Sequence, residues 1–197
     1  SVAVGDVTGD GYADVAAGAY GYTNSTGRVY VFHSTGPAGV TITTAATAST
    51  RITGDTTVNS FGLSVATGDV NGDGFADLAA GAWGYGSNAG RAYVFHSVGS
   101  GGVPTTPAAS ASTVITGQAT TNSFGLPGAT GDGNGDGCAD LVAGANRYSS
   151  SSGRVYVFHS TGNPGVTTTL ASSAQGLAKP TSSTPSSAPT FLRKQRE

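Results

Sequence analysis

The chain has few charged residues and almost no sulfur. Lys, Arg, Asp and Glu make up 10% of its 197 residues, against about 25% in an average soluble domain. Cys138 is its only cysteine, which excludes an internal disulfide and leaves the redox compartment undetermined. No run of about 18 apolar residues occurs, so the sequence predicts no membrane span. With nine basic residues and a net charge of −2, we expect no nucleic-acid partner.

The acidic residues that are present lie almost entirely in three short segments. Nine of the eleven are aspartates at the first, fifth and ninth positions of residues 6–14, 69–77 and 132–140, which begin 63 residues apart. A fixed period of this size indicates stacked supersecondary units. Clustered carboxylates repel one another, and a bound divalent cation is the usual remedy. We call these three segments the acidic loops.

The middle copy defines the repeating unit. A short apolar strand ends near Val70, the acidic loop follows, and small residues at 77–83 form a second strand. A turn at 84–90 leads to a third strand at 91–97, and a weaker fourth strand lies at 112–116. Four short strands joined by tight turns, without helical periodicity, are typical of a propeller blade. The predicted fold is all-β, a β-propeller segment of about three four-stranded antiparallel blades. The predicted blades are residues 1–58, 59–121 and 122–171.

The third strand is the most constant part of the unit. In the first copy, Tyr30 and Phe32 alternate with Val29, Val31 and His33, so the two sets point to opposite faces of the sheet. The strand carries almost no charge, which fits a blade whose two faces both pack on neighbouring blades.

Each acidic loop offers a set of oxygen donors at positions one, three, five, seven and nine, the seventh through its main-chain carbonyl. Hard oxygen donors suit calcium. An EF-hand is the natural competitor, but it requires a bidentate Glu at its twelfth position, where the second loop has Ala80, and its flanking helices are missing. We predict up to three Ca²⁺ ions. The predicted metal-binding residues are Asp6, Thr8, Asp10, Tyr12, Asp14, Asp69, Asn71, Asp73, Phe75, Asp77, Asp132, Asn134, Asp136, Cys138 and Asp140.

The three loops are not equivalent. Thr8 replaces the usual amide or carboxylate in the first loop and is a weaker donor. In the third copy, Gly133, Pro127 and Gly128 weaken the strand before the loop. We therefore expect the second loop to bind calcium most tightly. The alternative for all three is an Asx-rich hairpin turn without a metal.

The motifs around these loops resemble the FG-GAP repeat of integrin alpha-subunit propellers and of bacterial extracellular proteins. The resemblance covers about residues 1–170, although Tyr20, Trp83 and Asn146 replace the expected proline. It implies a seven-bladed, integrin-alpha-like parent propeller with calcium in hairpin loops on one face. The FG-GAP motif has two halves. Its Phe-Gly half occurs at Phe61-Gly62 and Phe124-Gly125, and its Gly-Ala half occurs at Gly18-Ala19, Gly81-Ala82 and Gly144-Ala145.

Three blades do not close a ring, because propellers typically have four to eight. We therefore expect further blades in cis or self-association. The first residues match the interior of the second copy from Ser64 onward, and we interpret the chain as a processed product or a fragment.

Other repeated or aromatic side chains have both structural and functional interpretations. We expect structural roles for the equivalent histidines and arginines of the third strands, and no reactive thiol at Cys138. Aromatic side chains after the second strand either pack at the blade rim or stack on a sugar or protein ligand. The histidines are His33, His96 and His159, the arginines Arg28, Arg91 and Arg154, and the aromatic residues Tyr20, Tyr22, Trp83, Tyr85 and Tyr148.

The repeat pattern ends near Ser172, and the composition of residues 172–197 predicts a disordered Ser/Pro/Thr-rich tail. The chain contains no recognisable catalytic motif, and we expect no enzyme activity. The leading hypothesis is a calcium-binding, secreted or cell-surface propeller segment that presents loops to a protein or glycan ligand, because cytosolic calcium would leave weak sites empty. The alternatives are a carbohydrate-binding propeller and an accessory module of a larger secreted hydrolase or lyase.

Overall fold

Three four-stranded antiparallel sheets make up the described part of the chain, which comprises residues 1–42, 44–57 and 59–178 of the computed structural model. Each sheet is a meander whose strands follow one another in chain order. This arrangement confirms the predicted all-β fold and three propeller blades. The strands are β1 Val2–Gly5, β2 Asp14–Ala19, β3 Arg28–Phe32, β4 Thr50–Thr53, β5 Val65–Gly68, β6 Asp77–Ala82, β7 Arg91–Phe95, β8 Thr113–Thr116, β9 Phe124–Gly131, β10 Asp140–Ala145, β11 Arg154–Phe158 and β12 Gly176–Ala178.

Short helical turns connect the strands. One four-residue turn follows the second strand of each blade and contains left-handed residues such as Asn24 and Ser87, so it is a tight connection rather than a regular helix. No helix in the described residues is long and apolar enough to cross a membrane. The four-residue turns are α1 Tyr22–Ser25, α2 Tyr85–Asn88 and α3 Tyr148–Ser151, and the 3₁₀ turns are Gly36–Ala38, Ala45–Thr47, Gly99–Gly101, Ala108–Ser110 and Ala171–Ser173.

The hydrophobic core is divided into two equivalent clusters, one at each junction between blades. At the first junction, Val29 and Val31 of the first blade meet Tyr93 and Phe95 of the second. The opposite face of the second blade, including Val94, packs on the third blade. Both faces of the middle blade are therefore buried, as the uncharged third strand predicts.

The outer face of the first blade is uncovered in the described residues. Tyr30 and Phe32 are only half-buried, whereas the equivalent Tyr93 and Phe95 are 0% and 2% exposed. Val2 and Val4 of β1 are 67% and 63% exposed. These side chains lack the neighbouring blade that covers their counterparts.

The third sheet extends further along the chain than the sequence-based interpretation expected. Strand β12 pairs with β11 and lies beyond residue 171, within the segment assigned to the tail. Strand β9 runs through Pro127 and Gly128, and its register with β10 shifts twice, in agreement with the predicted weakening of this strand. The rest of the predicted tail, residues 179–197, lies outside the described residues.

Candidate metal centre

The acidic loops lie in a row at one end of the strands of the three sheets. Each joins the first and second strands of its blade. Adjacent loops are tied together by the backbone, since Ala76 N–H donates to the Asp6 carbonyl at 2.9 Å and Ala139 N–H donates to the Asp69 carbonyl at 2.7 Å. The repeated sequence therefore places the same donor set at three neighbouring positions.

The first aspartate of each loop organises the hairpin backbone. Asp6 accepts hydrogen bonds from Gly9 N–H at 2.6 Å and Gly11 N–H at 2.8 Å. Asp69 accepts from Gly74 N–H at 2.8 Å, and Asp132 does the same with its own loop. Glycine supplies the positive φ angles that these turns need. The local structure thus includes the Asx-type turn that was the alternative to a metal site.

The ninth-position aspartates are buried anchors. Asp77 is 0% exposed, and its carboxylate accepts from Val70 N–H at 3.0 Å and Ser97 N–H at 2.8 Å. Equivalent bonds link Asp14 and Asp140 to the end of the third strand in their blades. Each of these carboxylates therefore connects its loop to the centre of the sheet.

The protein environment shifts the pKa values of Asp6, Asp77 and Asp132, and not all in the same direction. Burial raises the pKa of Asp77 to about 7, because a buried charge loses its hydration. Burial also opposes ionisation of Asp6, but hydrogen bonds from the surrounding N–H groups, beginning with Gly11, outweigh it and lower the pKa. For Asp132, the Gly137 N–H makes the largest contribution to a lowered pKa. Asp6 and Asp132 therefore remain ionised in their hairpins, while the buried Asp77 carries a charge only at a free-energy cost.

The third-position side chains contact other residues of their own hairpins. Thr8 Oγ1 lies 3.5 Å from Asp6 Oδ1 and 3.4 Å from Asp14 Oδ2. Asn71 Oδ1 accepts from Asp73 N–H at 3.1 Å, and its amide nitrogen donates to Asp73 Oδ2 at 2.9 Å. Asn134 repeats this arrangement with Asp136.

The donor chemistry of each loop fits calcium, since every predicted ligand atom is an oxygen. The carboxylates, however, are hydrogen-bonded to backbone N–H groups. Within the ranges that the structure describes, no group of three or more His, Cys, Asp or Glu side chains is close enough to share a metal ion. The calcium sites therefore remain a prediction based on donor type and position.

The seventh residue of each loop has a packing role that sequence reasoning missed. A Cβ atom added to Gly9 would lie 2.3 Å from the Phe75 ring, and one on Gly72 would lie 2.8 Å from Cys138 Sγ. The side chain of one loop thus covers the glycine of the preceding loop. Tyr12, which has no preceding loop in the chain, is 41% exposed.

The three histidines differ in their surroundings. His33 and His96 have a buried Nε2 without a hydrogen-bond partner, and these atoms lie against Gly102 and Gly165 of the following blade. His159 instead places Nδ1 2.8 Å from Asp140 Oδ2, in the third acidic loop. Its position beside a predicted ligand could not be read from the sequence, because all three histidines occupy one repeat position.

Serines that follow these histidines link neighbouring blades. Ser97 Oγ donates to the Val7 carbonyl at 2.6 Å, and Ser160 Oγ donates to the Val70 carbonyl. The carbonyl acceptors belong to the acidic loops of the preceding blades. The repeated His-Ser pair was the sequence signal for this contact, although only the histidine was singled out.

The repeated arginines and most of the turn aromatics stack on one another. The guanidinium carbons of Arg91 and Arg154 each lie 3.6 Å from the ring centroids of Tyr85 and Tyr148, and Arg28 lies 3.9 Å from Tyr22. These contacts are the local pairing expected for the arginines. Trp83 lies outside this pattern, with Arg147 5.6 Å from its ring centroid.

One known protein family matches this chain with the same repeat. A family model described as FG-GAP repeat matches residues 1–32, 61–95 and 124–158, together just over half of the chain. Integrin alpha pat-2 of Caenorhabditis briggsae is 42% identical over 83 residues, which are 41% of this chain and 7% of that protein. Each matched range contains one acidic loop and the first three strands of one sheet. The chain therefore belongs to the FG-GAP repeat family.

Proposed function

We propose that the chain is a calcium-stabilised, non-enzymatic propeller segment of an extracellular or cell-surface protein, which presents loops for adhesion or ligand binding. The observation that carries this proposal is the row of three acidic loops, each with the same oxygen-donor positions. The extracellular location and the role in adhesion are proposed from similarity to an integrin alpha subunit. Because the chain covers only 7% of that protein, the activity of the whole relative is not assigned to this chain.

The residues that would hold calcium are those at positions one, three, five, seven and nine of each loop. In the second loop these are Asp69, Asn71, Asp73, the carbonyl of Phe75, and Asp77. When bound, the ion supplies positive charge that offsets repulsion among the carboxylates. We infer similar sites in the first and third loops, with Thr8 as the weaker donor in the first.

The buried ninth aspartate supports this assignment. Asp77 is an unusual residue for a blade core, because burial disfavours its charged form. A nearby cation favours that form and removes part of the cost. The same buried aspartate occurs in all three blades, at Asp14, Asp77 and Asp140, which are 1%, 0% and 1% exposed.

The uncovered outer face of the first blade supports a role within a larger propeller or a self-associated assembly. Tyr30 and Phe32 lack the cover that their counterparts have in the second blade. A further FG-GAP blade, in the same polypeptide or in a second copy, has the chemistry to cover this face. Such exposed apolar surface is unfavourable in an isolated soluble segment.

Calcium is expected to raise the thermal midpoint of the chain. With an extracellular-type dissociation constant of about 10⁻⁴ to 10⁻³ M, a tenfold excess of calcium adds about 1.4 kcal/mol per occupied site. For a chain of this size, each kcal/mol of added stability raises the thermal midpoint by about 2–4 °C. Differential scanning calorimetry with calcium and then with excess chelator measures this change.

Magnesium at the same concentration is the control, because its stricter octahedral geometry suits these loops less well. A larger midpoint shift with calcium than with magnesium supports the proposal. An identical midpoint in calcium and in chelator would show that the loops are metal-free hairpin turns.

A further inference from the structure

A cleft lies between the second and third blades, at the end of the strands opposite the acidic loops. Strand β6 leaves the second acidic loop at Asp77 and ends at Ala82, so the next residue, Trp83, lies at the far end of the blade. The cleft has a free volume of about 310 Å³, part of it open to solvent. It is lined by Leu63, Trp83, Ser123, Leu126, Asn146 and Arg147.

One side of the cleft provides an apolar surface. The ring of Trp83 is half-buried, and Leu63 and Leu126 are also only partly covered. An indole face flanked by leucines favours a flat ligand with C–H groups on one side. A sugar ring has this property.

Ser123 also lines the cleft and has a buried hydroxyl without a hydrogen-bond partner. Ser123 is only 2% exposed, and its Oγ makes no hydrogen bond in the structure. An unpaired buried polar group is unfavourable, and a hydrogen bond from a ligand hydroxyl would remove this cost. Asn146 is exposed at the cleft and provides both a donor and an acceptor.

The cleft also carries a positive charge. Arg147 is exposed and lies over Trp83, and it makes no ion pair with any described residue. The acidic loops are at the opposite end of the strands and do not neutralise the charge of Arg147. A guanidinium in this position favours a carboxylate, which it binds with two parallel hydrogen bonds.

The charge is specific to this junction. Asn146 and Arg147 occupy the repeat positions of Trp83 and Gly84 in the second blade. The junction between the first and second blades therefore has no guanidinium at the equivalent place. A departure from the repeat that adds a cation and an amide beside an aromatic side chain indicates a binding site rather than a packing requirement.

We propose that this cleft binds one carboxylated sugar unit of an acidic polysaccharide. Trp83 stacks on the sugar ring, Arg147 pairs with the carboxylate, and Ser123 and Asn146 bond to ring hydroxyls. An acidic peptide side chain matches Arg147 but offers neither a ring for Trp83 nor a hydroxyl for Ser123. The inference deepens the proposed ligand-binding function but does not depend on occupied calcium sites.

Intrinsic fluorescence tests the proposal directly, because Trp83 is the only tryptophan in the chain. The full chain is titrated with D-galacturonate in calcium-containing buffer, with D-galactose as the neutral match. A saturable change is expected with galacturonate, and binding of galactose is expected to be at least about tenfold weaker. Arg147→Gln is expected to weaken galacturonate binding by a similar factor.

Arg51→Gln is the control variant, since Arg51 is exposed and its guanidinium donates to the Ala46 carbonyl in the first blade, whereas the cleft lies between the second and third blades. Its galacturonate response is expected to match that of the native chain. The proposal is overturned by an absence of saturable change up to about 50 mM galacturonate, by equal affinity for galactose, or by equally strong competition from a glutamate-containing peptide. If calcium still raises the thermal midpoint in that case, only the cleft assignment has failed.

Discussion

Phe124→Ala is expected to lower the free energy of unfolding by about 3–5 kcal/mol, because it leaves a cavity at the junction of the second and third blades. Phe124 is 1% exposed. Its ring lies edge-on to Tyr156 and Phe158, with centroid distances of 5.3 and 6.1 Å. Its backbone also bridges to Gly90 of the preceding blade. The side chain therefore supports both its own blade and the junction.

Urea unfolding of the native chain and the variant measures this loss. Tyr20→Ala is a matched control, since Tyr20 is an aromatic residue that is 52% exposed. Its removal is expected to change stability by no more than about 0.5 kcal/mol. A loss below about 1 kcal/mol for Phe124→Ala would mean that the Phe-Gly segment does not hold the blades together.

Gly90→Ala is expected to cost about 2–5 kcal/mol through strain in the same junction. Gly90 has a φ of +83°, which disfavours any residue with a Cβ. A Cβ atom at this position would also lie 1.7 Å from the carbonyl oxygen of Phe124. Since the obstacle is backbone, a side-chain rotation does not relieve it, and the two blades must move apart.

Gly162→Ala separates the two sources of strain. Gly162 has a φ of +77°, but a Cβ there meets nothing within 4 Å. This variant is expected to show only the conformational cost of about 1–2 kcal/mol. Equal losses for the two variants in urea unfolding would contradict a close backbone approach at Gly90.

The regular parts of the blades could be predicted from sequence because their signals are local. Alternation in the third strand, as at Tyr30 and Val31, indicated two buried faces, and glycine-rich segments indicated the turns. The acidic loops were recognisable for the same reason, since all the donors of one loop lie within nine residues. These features depend on neighbours along the chain.

Features that depend on contacts between blades could not be predicted in this way. The sequence places Phe75 and Cys138 in acidic loops, but only the stacking of the blades shows that their side chains cover the preceding loop. His159 contacts Asp140, whereas the equivalent His96 packs beneath the next blade. Identical repeat positions thus acquire different roles according to what lies beside them.

The cleft illustrates the same limit. Trp83 was recognised as one of several turn aromatics, but Arg147 and Ser123 were not connected with it. They lie 64 and 40 residues away along the chain and meet only across the junction between two blades. The continuation of the third sheet to Ala178 also depended on pairing with β11, because the residues of β12 are small or apolar and lack a strong strand pattern.

Calcium titration by isothermal titration calorimetry tests the proposed metal sites most directly. The native chain is compared with Asp73→Asn, which preserves an acceptor for Phe75 N–H but removes one carboxylate of the second loop. Glu197→Gln is the charge-matched control outside the loops. We expect saturable binding with a dissociation constant of about 10⁻⁴ to 10⁻³ M, weakened by Asp73→Asn and unchanged by Glu197→Gln. An absence of saturable calcium binding, or equal weakening by both variants, would contradict calcium coordination by the acidic loops.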